Sequence, residues 1–227
     1  MGKFSWIFFL LVLCCLGFTV KSENQQVTKY DPQRHEYSSP KKNLAAGAIV
    51  GATRNSVNYA IHSGGRSSNI LHVIDKTTKS KATWFARIDM PHKNFKSYHI
   101  NVNKAITGVR DPHIRISGVT AHAAGVTGQA LNVVNKVAPW VMAASVAIDA
   151  VDVINDWNGG KKSEAKRKVV SIAATNAGGY YGAGAGAVYG SMIFPGVGTV
   201  IGGIVGGLFG GFAGGIGGDV ANEILQL

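Results

Sequence analysis

The stretch FPGVGTVIGGIVGGLFGGFAGGIGG, residues Phe194–Gly218, decides the fold of the C-terminal part of this chain. Its glycines recur at every fourth position, at Gly198, Gly202, Gly206, Gly210, Gly214 and Gly218. Steps of four residues place them along one side of a helix, where the missing side chains let another backbone approach closely. In water, each interior glycine costs a helix about 1 kcal/mol relative to alanine. Close helix packing or a lipid environment must therefore offset that cost.

The preceding segment carries the same spacing, and a turn separates the two segments. Its glycines are Gly178, Gly182, Gly186 and Gly190, and the break is Phe194-Pro195-Gly196. The sequence has no charged residue from 169 to 218. As helices, segments 169–192 and 197–218 would be about 36 Å and 33 Å long, enough for a hydrocarbon core of about 30 Å. We therefore predict a membrane-inserting helical hairpin, with a buried soluble hairpin or a disordered tail as alternatives.

Positions 178–218, about a fifth of the chain, resemble the glycine-zipper hairpins of bacterial contact-dependent and secreted toxins and of other membrane-active proteins. The shared pattern is a small-residue helix, the turn Pro-Gly-Val-Gly at 195–198, and a second small-residue helix. The resemblance implies membrane association and packing between helices or between copies through the glycines. It leaves the activity open, because structural lipoproteins share the motif.

Residues 1–22 are typical of a secretory signal peptide, with Lys3 before a long apolar run and Ser22 before a predicted cleavage at Glu23. A retained N-terminal anchor is the alternative. Cys14 and Cys15 are the only cysteines of the sequence, and both lie in this segment. We therefore expect a secreted protein without disulfides, held together by its core, a partner or a membrane.

The chain is cationic, with a formal net charge of +11, and loss of Lys3 and Lys21 with the signal peptide leaves +9. This charge favours anionic lipid, bacterial envelope polymers or nucleic acid as partners. Because the tail is apolar, we expect an anionic membrane, allow for a homo-oligomer, and expect nucleic acid only for a nuclease. Lys166, Arg167 and Lys168 precede the uncharged segment and are predicted to contact lipid headgroups, or to form an ordinary solvated helical turn.

The rest of the chain predicts an α+β organisation. Residues 23–43 are polar and predict a flexible leader, and 44–118 predict a small β-rich head that begins with a short apolar patch at 44–52. The runs NILHVID, ATWFARID, SYHINV and HIRIS alternate between apolar and polar residues. They predict a small antiparallel sheet of about four strands.

Residues 119–160 connect the head to the hairpin at 161–227. Positions 119–132 are rich in Gly and Ala, and an amphipathic helix is predicted from near Pro139 to Trp157. Asp149, Asp152 and Asp156 form an acidic stripe on this helix that could pair with the basic residues at 166–168. The predicted fold is thus a small antiparallel β head, an amphipathic helix and a C-terminal glycine-zipper helical hairpin.

Histidines are concentrated in the head, which holds five of the seven in the sequence: His62, His72, His92, His99 and His113. His92 and His99 could form an acid–base pair, with Lys96 or Arg87 stabilising an anionic transition state, as in a metal-independent ribonuclease. Alternatively His92, His99, His113 and Asp89 could ligate a metal. No HxH or HExxH spacing supports a metal site, so we predict neither metal nor cofactor. A purely structural role is the third reading of these histidines.

The sequence contains no GxSxG motif and no P-loop. It therefore predicts a secreted, membrane-active protein with a defence (antimicrobial) or toxin-like role. We expect this protein to act by membrane insertion rather than by catalysis. A secreted nuclease-type toxin, with the hairpin serving delivery, is the first alternative. The second is a structural secreted protein whose hairpin is buried.

Overall fold

The computed structural model of the chain describes residues 39–64, 69–78 and 84–227. The predicted signal peptide at 1–22 and the predicted leader up to residue 38 lie outside the described residues. Within these ranges the elements are α1 (Pro40–Asn58), β1 (Tyr59–Ser63), β2 (Asn69–Asp75), β3 (Trp84–Asp89), β4 (His99–Val102), α2 (Lys104–Thr107), β5 (Ile114–Arg115), α3 (Gly118–Asn158), α4 (Lys162–Ile193) and α5 (Val197–Ile224).

The described strands form a five-stranded antiparallel sheet in the order β1-β2-β3-β4-β5, so neighbours along the chain are neighbours in the sheet. The alternation seen in the sequence gives the sheet one apolar face, with Leu71, Ile88 and Ile100 at its centre. This face packs against α3 and against the start of α5, where Val200 is fully buried. The α+β prediction, with a small antiparallel sheet followed by helices and a helical hairpin, is confirmed.

Helix α1 corrects the prediction that residues up to 43 form a flexible leader and that 44–52 form a patch of the β head. The helix begins at Pro40, which is tolerated in a first turn because its missing N–H would have no helical partner there. Asn43, Gly47 and Gly51 are buried on one side of this helix. That side packs against α5 rather than against the sheet, because its small residues match the glycines of α5.

Helix α3 begins at Gly118, not near Pro139, so the Gly/Ala-rich segment is part of a helix about 60 Å long. The Ser117 side chain caps its first turn by accepting a hydrogen bond from the backbone N–H of Thr120 at 3.0 Å. The glycines of this segment face the sheet, where a Cβ at Gly128 would lie 2.7 Å from a methyl group of Leu71. The predicted start was too late because Pro139 suits a first helical turn, whereas the contact with the sheet extends the helix through the glycines that precede it.

The hairpin forms as predicted, with α4 and α5 joined at Phe194-Pro195-Gly196. Gly196 has a φ of +88°, which favours glycine, and a Cβ there would lie 3.0 Å from the Cβ of Ala86 in the sheet. Its backbone N–H donates to the hydroxyl of Thr199 at 3.2 Å, and that hydroxyl is fully buried with its residue. The turn of the hairpin is therefore docked against the apolar face of the head.

Candidate functional site

The predicted glycine stripe of α5 contacts α4 within the same hairpin. A Cβ added at Gly206 would lie 2.9 Å from the Cα of Gly186, and one added at Gly210 would lie 2.9 Å from the Cα of Gly182. Such distances leave no room for a side chain, so the two helices touch backbone to backbone. The ten predicted glycines all face the opposite helix in this way: Gly178, Gly182, Gly186, Gly190, Gly198, Gly202, Gly206, Gly210, Gly214 and Gly218.

A second glycine stripe, which the sequence analysis missed, runs along α5 beside the first. It consists of buried glycines that face α1: Gly203, Gly207, Gly211 and Gly215. A Cβ added at Gly207 would lie 2.8 Å from the Cα of Gly51. Each Gly-Gly pair of the sequence, from 202–203 to 214–215, therefore gives one glycine to α4 and the next to α1. The recurrence of these pairs every four residues was the signal that could have revealed the second stripe.

Helix α1 lies against both helices of the hairpin. Its side facing α5 is formed by Asn43, Gly47, Gly51 and Asn55, again spaced by four residues. A Cβ at Gly47 would lie 2.7 Å from the Cα of Gly211 in α5, and a Cβ at Gly179 in α4 would lie 3.1 Å from the Cα of Gly47. The Asn55 amide donates a buried 2.7 Å hydrogen bond to the backbone carbonyl of Val200. The three helices thus form one layer, which we call the glycine layer, defined by α1, α4 and α5.

Within the glycine layer, α4 and α5 bury small residues and expose large apolar or aromatic side chains. Residues buried in α4 are Ala165, Ser171, Thr175, Gly179, Ala183, Ala187 and Gly190, and the buried residues of α5 are mostly glycines. Large side chains point away from these contacts, with Tyr181 76%, Met192 75% and Ile193 78% exposed. A water-soluble helical bundle places its large apolar residues inside. The reverse arrangement is typical of helices that pack in lipid, where close approach of backbones replaces the hydrophobic effect as the packing force.

Two of the described helices, α3 and α5, are long and apolar enough to cross a membrane. Only 6% of the apolar window of α3 and 28% of that of α5 is buried, so neither is the enclosed core helix of a soluble fold. Helix α4 is less apolar and does not meet the same criterion, so insertion of segment 169–192 stays a prediction. Its polar side chains, such as Asn176 and Tyr180, explain the difference. In α3, Trp140 is 77% and Ile148 63% exposed, so this helix is less amphipathic than predicted.

The predicted basic and acidic stripes meet at only one pair of residues. Lys168 forms an ion pair with Asp156, which joins the end of α3 to the start of α4. Arg167 instead donates to the backbone carbonyl of Leu227, while Lys166 is exposed. On the acidic stripe, Asp149 pairs with Lys42 of α1 at 3.7 Å, and Asp152 is exposed. Contact of the residues at 166–168 with lipid headgroups stays a prediction.

The second face of the sheet is polar and collects the histidines of the head. His62, His72, Arg87 and Asn101 lie directly opposite one another across β1 to β4, so they share this face. The rings of His62 and His72 are stacked with their centroids 5.1 Å apart. The pKa of His72 is lowered from its ordinary value, first by burial and then by the nearby charges of His62 and Arg87. His72 is therefore a neutral imidazole at neutral pH.

Asp89 and His99 form a second cross-strand pair on the polar face, and the loop after β3 brings His92 to them. Asp89 and His99 are 1% and 0% exposed, and one potential ligand atom from each of these three residues lies within 4.8 Å of the others. Phe95 covers His99, with ring centroids 4.4 Å apart, and is held by a pair of backbone hydrogen bonds to His92. We call this group the Asp-His-His cluster, defined by Asp89, His92 and His99.

The geometry brings together three of the four residues predicted for a nuclease site. His92 and His99 have ring centroids 5.2 Å apart, and Arg87 is bonded to Asp89 of the same cluster. Lys96 is exposed, and the Arg87 guanidinium is already engaged by the Asp89 carboxylate at 2.9 Å. A general acid or base must contact its substrate, but His99 is fully buried beneath Phe95. This arrangement does not favour the predicted acid–base pair.

The close-packed helices define a glycine-zipper domain, and comparison with protein families agrees. Residues 158–217 match the model described as "C13G5.2-like, glycine zipper domain", and residues 42–134 match the "C13G5.2-like N-terminal domain". A curated relative, "Uncharacterized protein C13G5.2" of Caenorhabditis elegans, is 39% identical over 175 residues. The match covers 74% of this chain and 50% of the relative, so the chain spans about half the length of that protein. No solved structure matches the chain.

The two family matches divide the molecule in an informative way. The N-terminal match, 42–134, contains α1 after its first residues, the sheet and the part of α3 that lies on the sheet. The glycine-zipper match, 158–217, contains α4 and most of α5. Residues 135–157, which form the exposed apolar half of α3, lie between the two matches. The glycine zipper and the two apolar helices point to a membrane-related role.

Proposed function

We propose that this chain is a membrane-active protein that inserts its glycine-zipper hairpin into an anionic membrane. The observation that carries this proposal is the reversed arrangement of the glycine layer, with glycine backbones in contact inside and exposed apolar side chains such as Tyr189 and Phe209 outside. In water these side chains are an exposed hydrophobic surface, whereas in lipid they are solvated. The absence of charge from 169 to 218 supports the same conclusion.

In this proposal the described structure is a closed state that must open before insertion. The turn of the hairpin is held by the head, because Val197 and Val200 belong to its hydrophobic core. Helix α1 covers the second glycine stripe, which includes Gly207 and Gly211. Insertion therefore requires the hairpin to leave the sheet and α1 to leave α5. The stripe freed in this way can pack against a second copy of the chain, which would give oligomers while the contact between α4 and α5 remains intact.

We further propose that the protein is secreted and acts on the membranes of other cells, as a defence or toxin-like protein. The support is the apolar run that follows Lys3, the net charge of +11 and the resemblance of 178–218 to the hairpins of membrane-active toxins. Basic side chains at the start of α4, including the exposed Lys166, would bind anionic headgroups while the uncharged part of the hairpin enters the bilayer.

The test is dye release from vesicles by the purified chain, with anionic and zwitterionic vesicles compared. We expect release from the anionic vesicles, and we expect Gly206→Leu to reduce it strongly because a branched side chain separates α4 from α5. Gly217→Leu is the matched control, since an added Cβ at Gly217 meets nothing within 4 Å. Absence of release, or equal release by Gly206→Leu and the unaltered chain, would exclude the proposal.

A reversible crosslink tests whether α1 must leave the hairpin. A Cβ added at Gly215 in α5 would lie 3.1 Å from the Cβ of Asn43 in α1, close to the Cβ separation of a disulfide, so Asn43→Cys with Gly215→Cys can join the two helices. Cys14 and Cys15 are replaced by serine in this variant to leave one possible disulfide. We expect the oxidised form to release little dye and the reduced form to regain release. Full release by the oxidised form would show that opening of α1 is not required.

A further inference from the structure

We propose that the Asp-His-His cluster binds a divalent transition-metal cation of the Zn²⁺ class. The starting observation is that two buried lone-pair atoms of the cluster have no hydrogen-bond partner within the described ranges 39–64, 69–78 and 84–227. These atoms are Nε2 of His99 and Oδ1 of Asp89. An unsatisfied buried acceptor is unfavourable, and a cation bound between these two residues would satisfy both.

The tautomer of His99 is fixed by the backbone. Its Nδ1 lies 2.8 Å from the carbonyl oxygen of Ser97. A carbonyl oxygen only accepts, so Nδ1 carries the proton and donates. Nε2 of the neutral ring is then a free lone pair, as a metal ligand requires. Hydrogen bonding of the second ring nitrogen to a backbone carbonyl is the usual way in which a ligating histidine is oriented.

Asp89 is oriented by a similar division of its two oxygens. Oδ2 accepts from the Arg87 guanidinium at 2.9 Å and from the Asn101 amide at 2.7 Å. Oδ1 is left for a ligand. The side chain of Arg87 is 29% exposed, so solvent screens part of its charge against an incoming cation. Both buried ligands are therefore held by neighbouring groups before any metal arrives.

His92 supplies the third ligand and the access route. It lies in the loop between β3 and β4 and is partly exposed, unlike Asp89 and His99. A site with two imidazoles and one carboxylate suits Zn²⁺ and neighbouring transition metals better than Ca²⁺ or Mg²⁺, which prefer oxygen ligands. Three protein ligands leave a coordination position for water on the side of His92.

His113 lies near the cluster but is not assigned as a ligand. Its ring is 5.5 Å from that of His99, and its Nδ1 lies 2.7 Å from the Asn101 side-chain oxygen. Because an amide oxygen accepts, Nδ1 of His113 is a donor in this contact. His113 thus helps to fix Asn101, which in turn donates to Asp89.

The test uses the purified full chain, freed of metal by a chelator and titrated with Zn²⁺ in a calorimeter. We expect one ion to bind per chain with micromolar or tighter affinity, and Co²⁺ to give the absorption bands of a tetrahedral site. Because His92 is partly exposed, His92→Ala should fold, and we expect at least about 100-fold weaker binding. Arg87→Gln, which removes a support of Asp89, is expected to weaken binding about 10-fold to 100-fold.

His122→Ala is the matched control, because His122 is an exposed histidine outside the cluster. It is expected to bind Zn²⁺ like the unaltered chain. Unchanged binding in His92→Ala, or equal loss in His122→Ala, would overturn the proposal, as would no binding at micromolar Zn²⁺.

Discussion

The head and the glycine layer are both tightly packed, but by opposite means. In the head, large apolar side chains such as Ile61, Leu71 and Ile100 fill the space between the sheet and α3, each at most 2% exposed. In the glycine layer, the space is removed, because backbones such as those of Gly186 and Gly206 approach until no side chain fits. The head is thus packed by large side chains and the glycine layer by contact between backbones.

This difference teaches how each region responds to a single methyl group. Removing carbon atoms from the head leaves a cavity, whereas adding one to the glycine layer forces two backbones apart. Helix propensity works in the opposite direction in the layer, since alanine is the better helix former. We therefore expect large-to-small substitutions to destabilise the head and small-to-large substitutions to destabilise the glycine layer.

The largest effect is expected from Leu71→Ala in the head. Leu71 is 1% exposed and lies beneath Gly128 of α3, so its truncation leaves a cavity between the sheet and the helix. We expect a loss of about 2–5 kcal/mol in the free energy of unfolding, measured with chemical denaturant. Val119→Ala is the control, because Val119 is 82% exposed on α3 and should change stability by less than about 0.5 kcal/mol. An equal loss of unfolding free energy in both variants would contradict the view that large buried side chains hold the head together.

A smaller effect of opposite origin is expected from single methyl groups in the glycine layer. Gly206→Ala and Gly207→Ala each place a Cβ within 2.9 Å of a facing backbone Cα atom. We expect each to lower the free energy of unfolding by about 1–3 kcal/mol, although alanine favours the helix. Gly217→Ala faces open space and should stabilise the fold by up to about 1 kcal/mol. If all three variants were more stable than the unaltered chain, close backbone contact would not be what holds the glycine layer together.

The smallest expected effect is a decrease in the stability of the head at acidic pH. No charged residue lies in the sequence from 169 to 218, whereas burial and the charges of His62 and Arg87 lower the pKa of His72 in the head. Because the folded form disfavours protonated His72, its contribution to stability is complete above the ordinary histidine pKa of about 6.5 and is lost as the pH falls below it. The free energy of unfolding of the head should therefore decrease on mild acidification.

His62→Gln sharpens this prediction. Removal of the His62 ring should let the pKa of His72 rise part of the way to its ordinary value, since burial, the larger cause, remains. The measurement is an NMR titration of the His72 ring, with His122→Gln as the exposed control. A pKa of His72 that does not move in His62→Gln would remove the stacked histidine pair as a cause.

The sequence predicted the elements that local patterns determine. Alternation of apolar and polar residues located the strands that contain Leu71, Ile88 and Ile100, and the four-residue glycine spacing with Phe194-Pro195-Gly196 located the hairpin. Helix α1 and the first half of α3 were missed for one physical reason. Their glycines, such as Gly47 and Gly128, weaken a helix in isolation and are explained only by the partner they touch.

The residues of the polar face could be predicted from the sequence, but their arrangement in space could not. Asp89, His92 and His99 were recognised as possible ligands, yet their spacing along the chain matches no compact metal motif. Pairing of β3 with β4 places Asp89 directly opposite His99, and the loop between the strands brings His92 back to them. Register of this kind depends on the whole sheet, so the sequence could name these candidate ligands but could not show that they lie together.

The repeated four-residue spacing of α1 and α5 has a further consequence for how the two helices find their places. A surface that repeats every four residues presents the same glycines after a slide of four residues, about 6 Å along the axis, so the glycines alone do not fix the position of α1 along α5. The two asparagines at the ends of the α1 side that faces α5 make one position of α1 different from the others. Asn55 donates to the carbonyl of Val200, and Asn43 accepts from Thr175. Asn55 and Asn43 therefore fix the register of α1 on the hairpin. Replacing both with glycine would let α1 shift along the hairpin by four residues while its backbone contacts are kept.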